Sequence, residues 1–234
     1  MKVTAIIPAA GMGTRMGTDR PKQLIELDGQ PILAHTLQAF DDCDSVEDVI
    51  LVVSKDIFGF CSQHILPRFH KVDKVVFGGE KRQDSVFRGL KAARDDTEIV
   101  VIHDGSRPFI TPEQITCSID LCGKTRAVVT AMPVKDTVKS VANGLVERTL
   151  DRSGLWLTQT PQTFCFALIW KAYRKAYQEG YYATDDSALV ERLGTKVAVL
   201  TGSYQNIKIT TLEDLAVAQV ILEDKKRKEH KASP

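Results

Sequence analysis

The segment VTAIIPAAGMGTRMG at residues 3–17 decides the fold, because an apolar run passes directly into a glycine-rich loop. Residues 3–7 predict a strand buried on both faces. The loop that follows allows its backbone to approach a ligand closely, and its amides can point at phosphate oxygens. The residues of this predicted phosphate cradle are Pro8, Ala9, Ala10, Gly11 and Gly13.

Two cations, Arg15 and Lys22, belong to the same stretch of chain. Cations that flank a polyphosphate stabilise the charge that builds up during phosphoryl transfer. The loop is not a dinucleotide fingerprint, because Met16 stands where the third glycine would be, and it does not end in the Gly-Lys-Ser or Gly-Lys-Thr of a P-loop. A glycine-rich loop alone is compatible with a structural turn. In combination with both cations, it predicts a nucleotide-phosphate cradle.

Outward from this loop, short apolar runs alternate with amphipathic segments. Strands are predicted at residues 3–7, 49–53, 74–77, 99–102, 127–131 and 197–200. Helices are predicted at residues 32–40, 57–69, 85–94, 112–121, 167–178, 185–193 and 212–223. The alternation predicts an α/β fold with a mostly parallel, doubly wound (Rossmann-like) sheet, in which ligands bind at the carboxyl ends of the strands.

The pattern changes at residues 136–155, where two alternating segments flank an Asn-Gly turn signal at residues 143–144. This predicts a β-hairpin arm inserted into a single domain that spans residues 1–234. An isolated two-stranded ribbon is marginal in water, so its apolar side chains need cover.

Composition excludes several classes of function. The chain has 31 Lys and Arg against 30 Asp and Glu, which argues against bulk binding to nucleic acid or to an anionic membrane. No signal peptide and no run of about 20 apolar residues is found, and the five cysteines are an odd number without a Cys-x-x-Cys pair. We therefore expect a cytoplasmic protein with reduced thiols and without a membrane or nucleic-acid partner.

Six further motifs follow the cradle in order along the chain. They are GGEKRQDS at residues 78–85, HDGSRPF at 103–109, DRSGLW at 151–156, TPQ at 160–162, TDD at 184–186 and NIKIT at 206–210. Together with the loop, they resemble the 2-C-methyl-D-erythritol 4-phosphate cytidylyltransferases of the non-mevalonate isoprenoid pathway. The resemblance covers nearly the whole chain and implies the nucleotidyltransferase type of α/β fold.

The resemblance also implies the reaction, in which the phosphate of the sugar alcohol attacks the α-phosphorus of CTP in line and pyrophosphate leaves. A related family, the ribitol-5-phosphate cytidylyltransferases, is the alternative, but it usually begins its loop with Ala-Gly-Gly and generally lacks the segment at residues 151–156. One departure is Ser106, where the family often has Ala. A transferase for UTP or a purine triphosphate, and a catalytically silent nucleotide-binding module, are the other hypotheses.

Roles are carried over from the family residue by residue. Arg15 and Lys22 are expected to stabilise the transition state, and Asp104 is expected to hold Mg²⁺ together with the CTP phosphates, or a ribose hydroxyl. The loop residues named above are expected to bind CTP, together with Gly78, Gly79, Arg82 and Ser85. The acceptor phosphate is expected to bind to Arg107, Arg152, Thr160, Lys208 and Thr137. We assign no chemistry to His103. The family further implies a homodimer joined through the arm at residues 136–155.

Overall fold

The computed structural model describes residues 1–11 and 21–232 of the chain. The strands are β1 (Val3–Ala9), β2 (Glu26–Leu27), β3 (Gln30–Pro31), β4 (Asp48–Val53), β5 (Val72–Phe77), β6 (Ile99–Ile102), β7 (Ala127–Pro133), β8 (Lys139–Ala142), β9 (Leu145–Thr149), β10 (Trp156–Cys165) and β11 (Ala198–Thr201). The α-helices are α1 (Ile32–Asp41), α2 (Lys55–Phe60), α3 (Arg82–Ala92), α4 (Pro112–Thr125), α5 (Phe166–Gln178), α6 (Asp186–Glu191) and α7 (Leu212–Ala232).

A seven-stranded sheet forms the centre of the described structure, in the order β11-β7-β10-β6-β1-β4-β5. The pairs β1–β4, β1–β6, β4–β5 and β7–β11 are parallel, whereas β10 runs antiparallel to both of its neighbours. Side chains of β1 alternate between two cores, with Ala5 and Ile7 packed on one face and Ile6 on the other. Both faces are therefore covered, and the predicted mostly parallel, doubly wound α/β fold is confirmed.

Strand β10 was missed in the sequence because it has no uninterrupted apolar run and contains Pro161, which argues against a central strand. The pairing of β10 with β7 shifts register between Thr158 and Gln162. The proline lies inside this irregular stretch, where the missing backbone donor does not break a regular ladder.

The helix predicted at residues 57–69 was also wrong. The chain forms α2, then a π-helical turn at Cys61–Ile65 and a 3-10 turn at Leu66–Arg68 that contains Pro67. Proline removes a donor and clashes with the preceding turn, so a regular α-helix cannot continue. In contrast, α4 begins as predicted, with the Thr111 hydroxyl accepting from the Gln114 amide.

Helix α7 extends beyond its predicted end at residue 223, through the basic run of the tail. Pairs one turn apart support this extension: Lys228 lies 2.6 Å from Asp224, and Arg227 lies 3.6 Å from Glu223. No helix in the described ranges is both long and apolar enough to cross a membrane.

The inserted arm consists of β8 and β9, joined by Asn143 (φ 51°) and Gly144 (φ 79°). Two consecutive positive φ angles are the signature of a type I′ hairpin turn, for which Asn-Gly is the favoured pair. The arm exposes apolar side chains, and Leu145 at 73% exposure is the clearest example.

Candidate active site

The carboxyl ends of β1, β4, β5 and β6 meet at one edge of the sheet and enclose a cavity of about 520 Å³. This is the edge at which ligands bind in open α/β sheets. The cavity is lined by Pro8, Ala10, Gly11, Lys22, Gln23, Ser54, Gly79, Glu80, Lys81, Arg82, Ser85, Asp104, Ser106 and Lys208.

Two glycines after β5 allow the loops to approach closely. A Cβ on Gly78 would lie 2.2 Å from the Cβ of Ala10, and one on Gly79 would lie 2.3 Å from the Cβ of Asp84. Ser85 fastens the same turn, because its hydroxyl accepts from the Gly79 amide at 3.1 Å and donates to the Lys81 carbonyl at 3.2 Å. Any larger residue at position 78 would push the cradle loop away from helix α3.

Asp104, just beyond β6, is the electrostatic centre of the site. Its Oδ1 lies 3.0 Å from Arg82 Nε, and its Oδ2 lies 2.9 Å from Lys208 Nζ and 3.5 Å from Arg107 Nε. Burial alone would raise the pKa of this carboxyl, but the positive charges of Arg82, Lys208 and Arg107 hold its pKa well below the ordinary range. Asp104 is therefore ionised at every physiological pH.

A chain of hydrogen bonds fixes the loop that presents Asp104. His103 Nε2 lies 3.2 Å from the carbonyl of Arg107, which can only accept, so this nitrogen carries the proton. His103 Nδ1 then accepts from the Thr160 hydroxyl, which itself accepts from the Asp104 amide, both at 3.1 Å. Burial lowers the pKa of His103 to about 4, so the imidazole is neutral. Each donor and acceptor in this chain of hydrogen bonds is therefore fixed.

The segment after β11 is fastened to the same loop. Arg107 Nη1 donates to the carbonyl of Asn206 at 2.8 Å, and the amide of Ile209 donates to the carbonyl of Ser106 at 2.9 Å. The Asn206 side chain also donates to the Thr160 carbonyl at 2.8 Å. These bonds place Lys208 beside Asp104, although about a hundred residues separate them in sequence.

Lys22 also lines the cavity, from a short 3-10 turn at Lys22–Leu24. Its Nζ donates to the hydroxyl of Ser106 at 3.3 Å. The neighbouring Gln23 is 2% exposed and donates through Nε2 to the carbonyl of Gly11 at 2.7 Å, which ties the start of the cradle to the Lys22 turn. Ser106, the departure from the family pattern, thus supplies a contact to Lys22.

The predicted site residues fall into four groups. Those that line the cavity are Pro8, Ala10, Gly11, Lys22, Gly79, Arg82, Ser85, Asp104 and Lys208. Those that pack behind its wall are Ala9, Gly78, Arg107 and Thr160. Thr137 and Arg152 flank the arm, are exposed and do not line the cavity, and Arg152 donates to the Lys135 carbonyl. Arg15 and Gly13 lie outside the described residues.

Sequence reasoning did not select the lining residues Gln23, Ser54, Glu80, Lys81 and Ser106. Gln23, Glu80, Lys81 and Ser106 adjoin or lie inside a motif. For Ser54, the only signal in the sequence is that it directly follows a predicted strand. Lys81 is oriented by contacts from far along the chain, since its Nζ lies 3.6 Å from the ring centre of Tyr182.

The arrangement suits a polyanionic ligand, because several cations surround one carboxylate in a concave site. No group of three or more His, Cys, Asp or Glu side chains within the described ranges is placed to hold a metal ion. A Mg²⁺ ion bound through one carboxylate and the phosphates of a nucleotide needs no such group, and Asp104 is an ionised carboxylate on the cavity wall. The donor set therefore fits that mode of binding.

Comparisons with known proteins give one consistent result. The family model for 2-C-methyl-D-erythritol 4-phosphate cytidylyltransferase matches residues 3–224. The chain is 46% identical over 226 residues to the enzyme of that name from Geotalea uraniireducens, covering 95% of this chain and 97% of the relative. It is 48% identical over 223 residues to the one from Desulforamulus reducens, covering 94% and 95%. The crystal structure of a 4-diphosphocytidyl-2C-methyl-D-erythritol synthase from Anaerococcus prevotii superposes with a TM-score of 0.85 at 36% identity, covering 95% of this chain and 98% of that one.

Proposed function

We propose that the cavity at the sheet edge carries out the reaction of the 2-C-methyl-D-erythritol 4-phosphate cytidylyltransferase family, to which the chain belongs. In this reaction, the enzyme transfers a cytidylyl group from CTP to 2-C-methyl-D-erythritol 4-phosphate and releases pyrophosphate. The single observation that supports the location is the convergence of Lys22, Asp104 and Lys208 on one cavity from distant parts of the chain.

The acceptor needs no general base. A phosphate monoester has a second pKa of about 6, so it is mostly dianionic at neutral pH. The barrier arises instead from repulsion between two anions and from charge that develops on the leaving pyrophosphate. We assign Lys22 and Arg15 to the stabilisation of that charge, and Lys208 to the acceptor phosphate. The segment at residues 78–85 contributes backbone groups at the double glycine for the cytosine base.

Two residues expected to bind the acceptor phosphate receive a supporting role. Arg107 pairs with Asp104 and donates to Asn206, and the Thr160 hydroxyl is engaged by the Asp104 amide and His103. These four contacts hold the loop that carries Asp104. We therefore propose that Arg107 and Thr160 position Asp104 and Lys208.

We propose that Asp104 holds Mg²⁺ together with the CTP phosphates. When bound, the ion would neutralise phosphate charge and so reduce repulsion toward the incoming anion. The supporting observation is the ionised state of Asp104 on the cavity wall.

Substrate identity is tested with a pyrophosphate-release assay that crosses four nucleoside triphosphates with methylerythritol 4-phosphate and ribitol 5-phosphate. We expect release only with CTP and methylerythritol 4-phosphate. Equal turnover with ribitol 5-phosphate, or with UTP, would contradict the assignment.

We further propose a homodimer joined through the arm at residues 136–155. Val141, Leu145 and Val146 are more than half exposed on it, and a two-fold partner would cover them. Thr137 and Arg152 flank the arm, outside the cavity of their own chain, so we assign them to the acceptor site of the partner subunit.

A subunit-mixing experiment tests this arrangement. Lys22→Ala and Arg152→Ala chains are unfolded together, refolded and assayed at a sugar-phosphate concentration far below the raised KM of Arg152→Ala, where neither variant alone has appreciable activity. If each site draws Lys22 from one chain and Arg152 from the other, half of the dimers are mixed and each holds one intact site, so about a quarter of wild-type activity returns. Absence of rescue in confirmed dimers would rule out the shared site.

We also propose that the enzyme works in the cytoplasm. In support, the cysteines within the described ranges, Cys43, Cys61, Cys117, Cys122 and Cys165, are all free thiols. Fractionation of cells that express a tagged chain tests the location, and recovery of the tag in another compartment would contradict it.

A further inference from the structure

The guanidinium of Arg82 is held between two carboxylates from separate parts of the chain. Its Nε donates to Oδ1 of Asp104 at 3.0 Å, and its Nη2 donates to Oδ2 of Asp186 at 2.8 Å. Asp104 follows β6, whereas Asp186 begins helix α6. The planar fork of an arginine fixes the relative position of two such acceptors, so Arg82 couples the start of α6 to the cavity.

Asp186 itself does not reach the cavity. It is 1% exposed, and its Oδ1 accepts a hydrogen bond from the hydroxyl of Tyr173, which is fully buried on helix α5. Burial, together with the Asp186 carboxylate, raises the pKa of Tyr173 well above its ordinary value, so the hydroxyl keeps its proton and donates. The Tyr173 ring is in turn stacked on Phe87, with centroids 5.7 Å apart. One carboxylate oxygen of Asp186 is therefore fixed by Tyr173, and the other binds Arg82.

We propose that Asp186 is a positioning residue that acts on the reaction through Arg82, and that Tyr173 holds Asp186 in place for this purpose. With Asp186 present, Arg82 is a fixed partner of Asp104. Without it, Arg82 is a mobile cation beside the triphosphate. The inference rests on the role proposed above for Asp104, because Arg82 matters to the reaction through the orientation that it imposes on that carboxylate.

The loss of Asp186 has opposite effects on binding and on turnover. An isosteric Asp186→Asn change makes the site more positive by one charge, which favours a bound polyanion. At the same time, Arg82 is held by a neutral hydrogen bond in place of an ion pair, so it fixes the orientation of Asp104 less firmly, and a small displacement of an aligned group reduces the rate steeply. A residue that only maintained the fold would weaken binding and turnover together.

The experiment compares kcat with the Kd for CTP in the purified full-length enzyme, measured by steady-state pyrophosphate release and by equilibrium dialysis. For Asp186→Asn, we expect kcat to fall about tenfold or more, while the Kd for CTP stays unchanged or falls about two- to threefold. Tyr173→Phe, which keeps the stacked ring, should produce a smaller change in kcat with no loss of CTP binding. It provides the test if Asp186→Asn does not fold.

Asp185→Asn is the matched control, since it removes a charge from the same helix end without contacting Arg82. Asn is as good an N-cap as Asp, so the bond from the Ala188 amide is retained. We expect near-normal kcat for this variant. An Asp186→Asn enzyme with near-normal kcat, or with CTP binding weakened as much as kcat, would overturn the proposal.

A double-variant cycle tests whether the effect passes through Arg82. If it does, Arg82→Gln combined with Asp186→Asn should be no slower than Arg82→Gln alone. Multiplicative losses would refute this route. An Asp104→Asn enzyme with an unchanged Mg²⁺ requirement would instead count against the role proposed for Asp104, so the two failures are distinguishable.

Discussion

Replacing Asp104 by Asn should destabilise the fold as well as impair catalysis, because three cations form ion pairs with this carboxylate. The ion pairs lie at 2.9, 3.0 and 3.5 Å, to Lys208, Arg82 and Arg107. Removing one partner of a fully buried pair costs about 3–5 kcal/mol. Lys208 and Arg82 are 33% and 29% exposed, whereas Arg107 is 11% exposed, so solvent partly compensates the first two. We therefore expect a loss of about 2–3 kcal/mol.

For a chain of this size, such a loss lowers the thermal midpoint by about 5–10 °C. The pH dependence follows from the depressed pKa of Asp104 in the folded state. A carboxyl whose folded pKa is depressed contributes stability above its unfolded pKa of about 3.9, and this contribution is lost as the pH falls toward the folded pKa. The gap between wild type and variant should therefore be constant from about pH 5 upward and should narrow only below about pH 4.

Thermal unfolding followed by circular dichroism between pH 3 and 8, at one protein concentration and scan rate, measures this gap. Asp96→Asn is the control, because its ion pair with Arg94 is about half exposed on both sides and should change the midpoint by about 1 °C or less. A midpoint for Asp104→Asn within about 1 °C of wild type at pH 7, or a gap that widens on acidification, would refute the reasoning.

Lys22→Ala and Arg15→Ala should each lower kcat by a factor of about 100 or more while CTP binding weakens less, because they remove charge stabilisation specific to the transition state. Steady-state kinetics with equilibrium dialysis checks this, and near-normal kcat in Lys22→Ala would contradict it. Asp104→Asn should require more Mg²⁺ for half-maximal activity, since a neutral amide is a poorer ligand for a hard cation. An unchanged Mg²⁺ titration would mean that Asp104 is purely structural. Arg152→Ala should raise KM for the sugar phosphate and leave KM for CTP nearly unchanged, and equal effects on both constants would place Arg152 at the triphosphate or in the fold.

Most of the parallel strands and the location of the cavity were within reach of the sequence for a local reason. A buried parallel strand needs a continuous apolar run, and a close-approach loop needs small residues, so β1, β4, β6 and the cradle at residues 8–11 are visible in a few consecutive letters. The arm was equally visible, because only certain residue pairs fit a type I′ turn. Strand β10 was not, since its polar residues and Pro161 are tolerated only through a register shift that the neighbouring strand creates.

Side-chain partners were decided by the tertiary structure alone. The sequence indicated that Arg82 belongs near the nucleotide and that Thr160 carries a useful hydroxyl, but each could face ligand, solvent or protein. In the fold, Arg82 is held by Asp104 and Asp186, and Thr160 turns inward to His103. These contacts join residues separated by 22 to 104 positions along the chain. Composition and spacing show which charged and polar groups are available. The packing of distant elements determines which of these groups meet, because a desolvated charge or hydroxyl needs a partner and pairs with the one that the fold brings within hydrogen-bond distance.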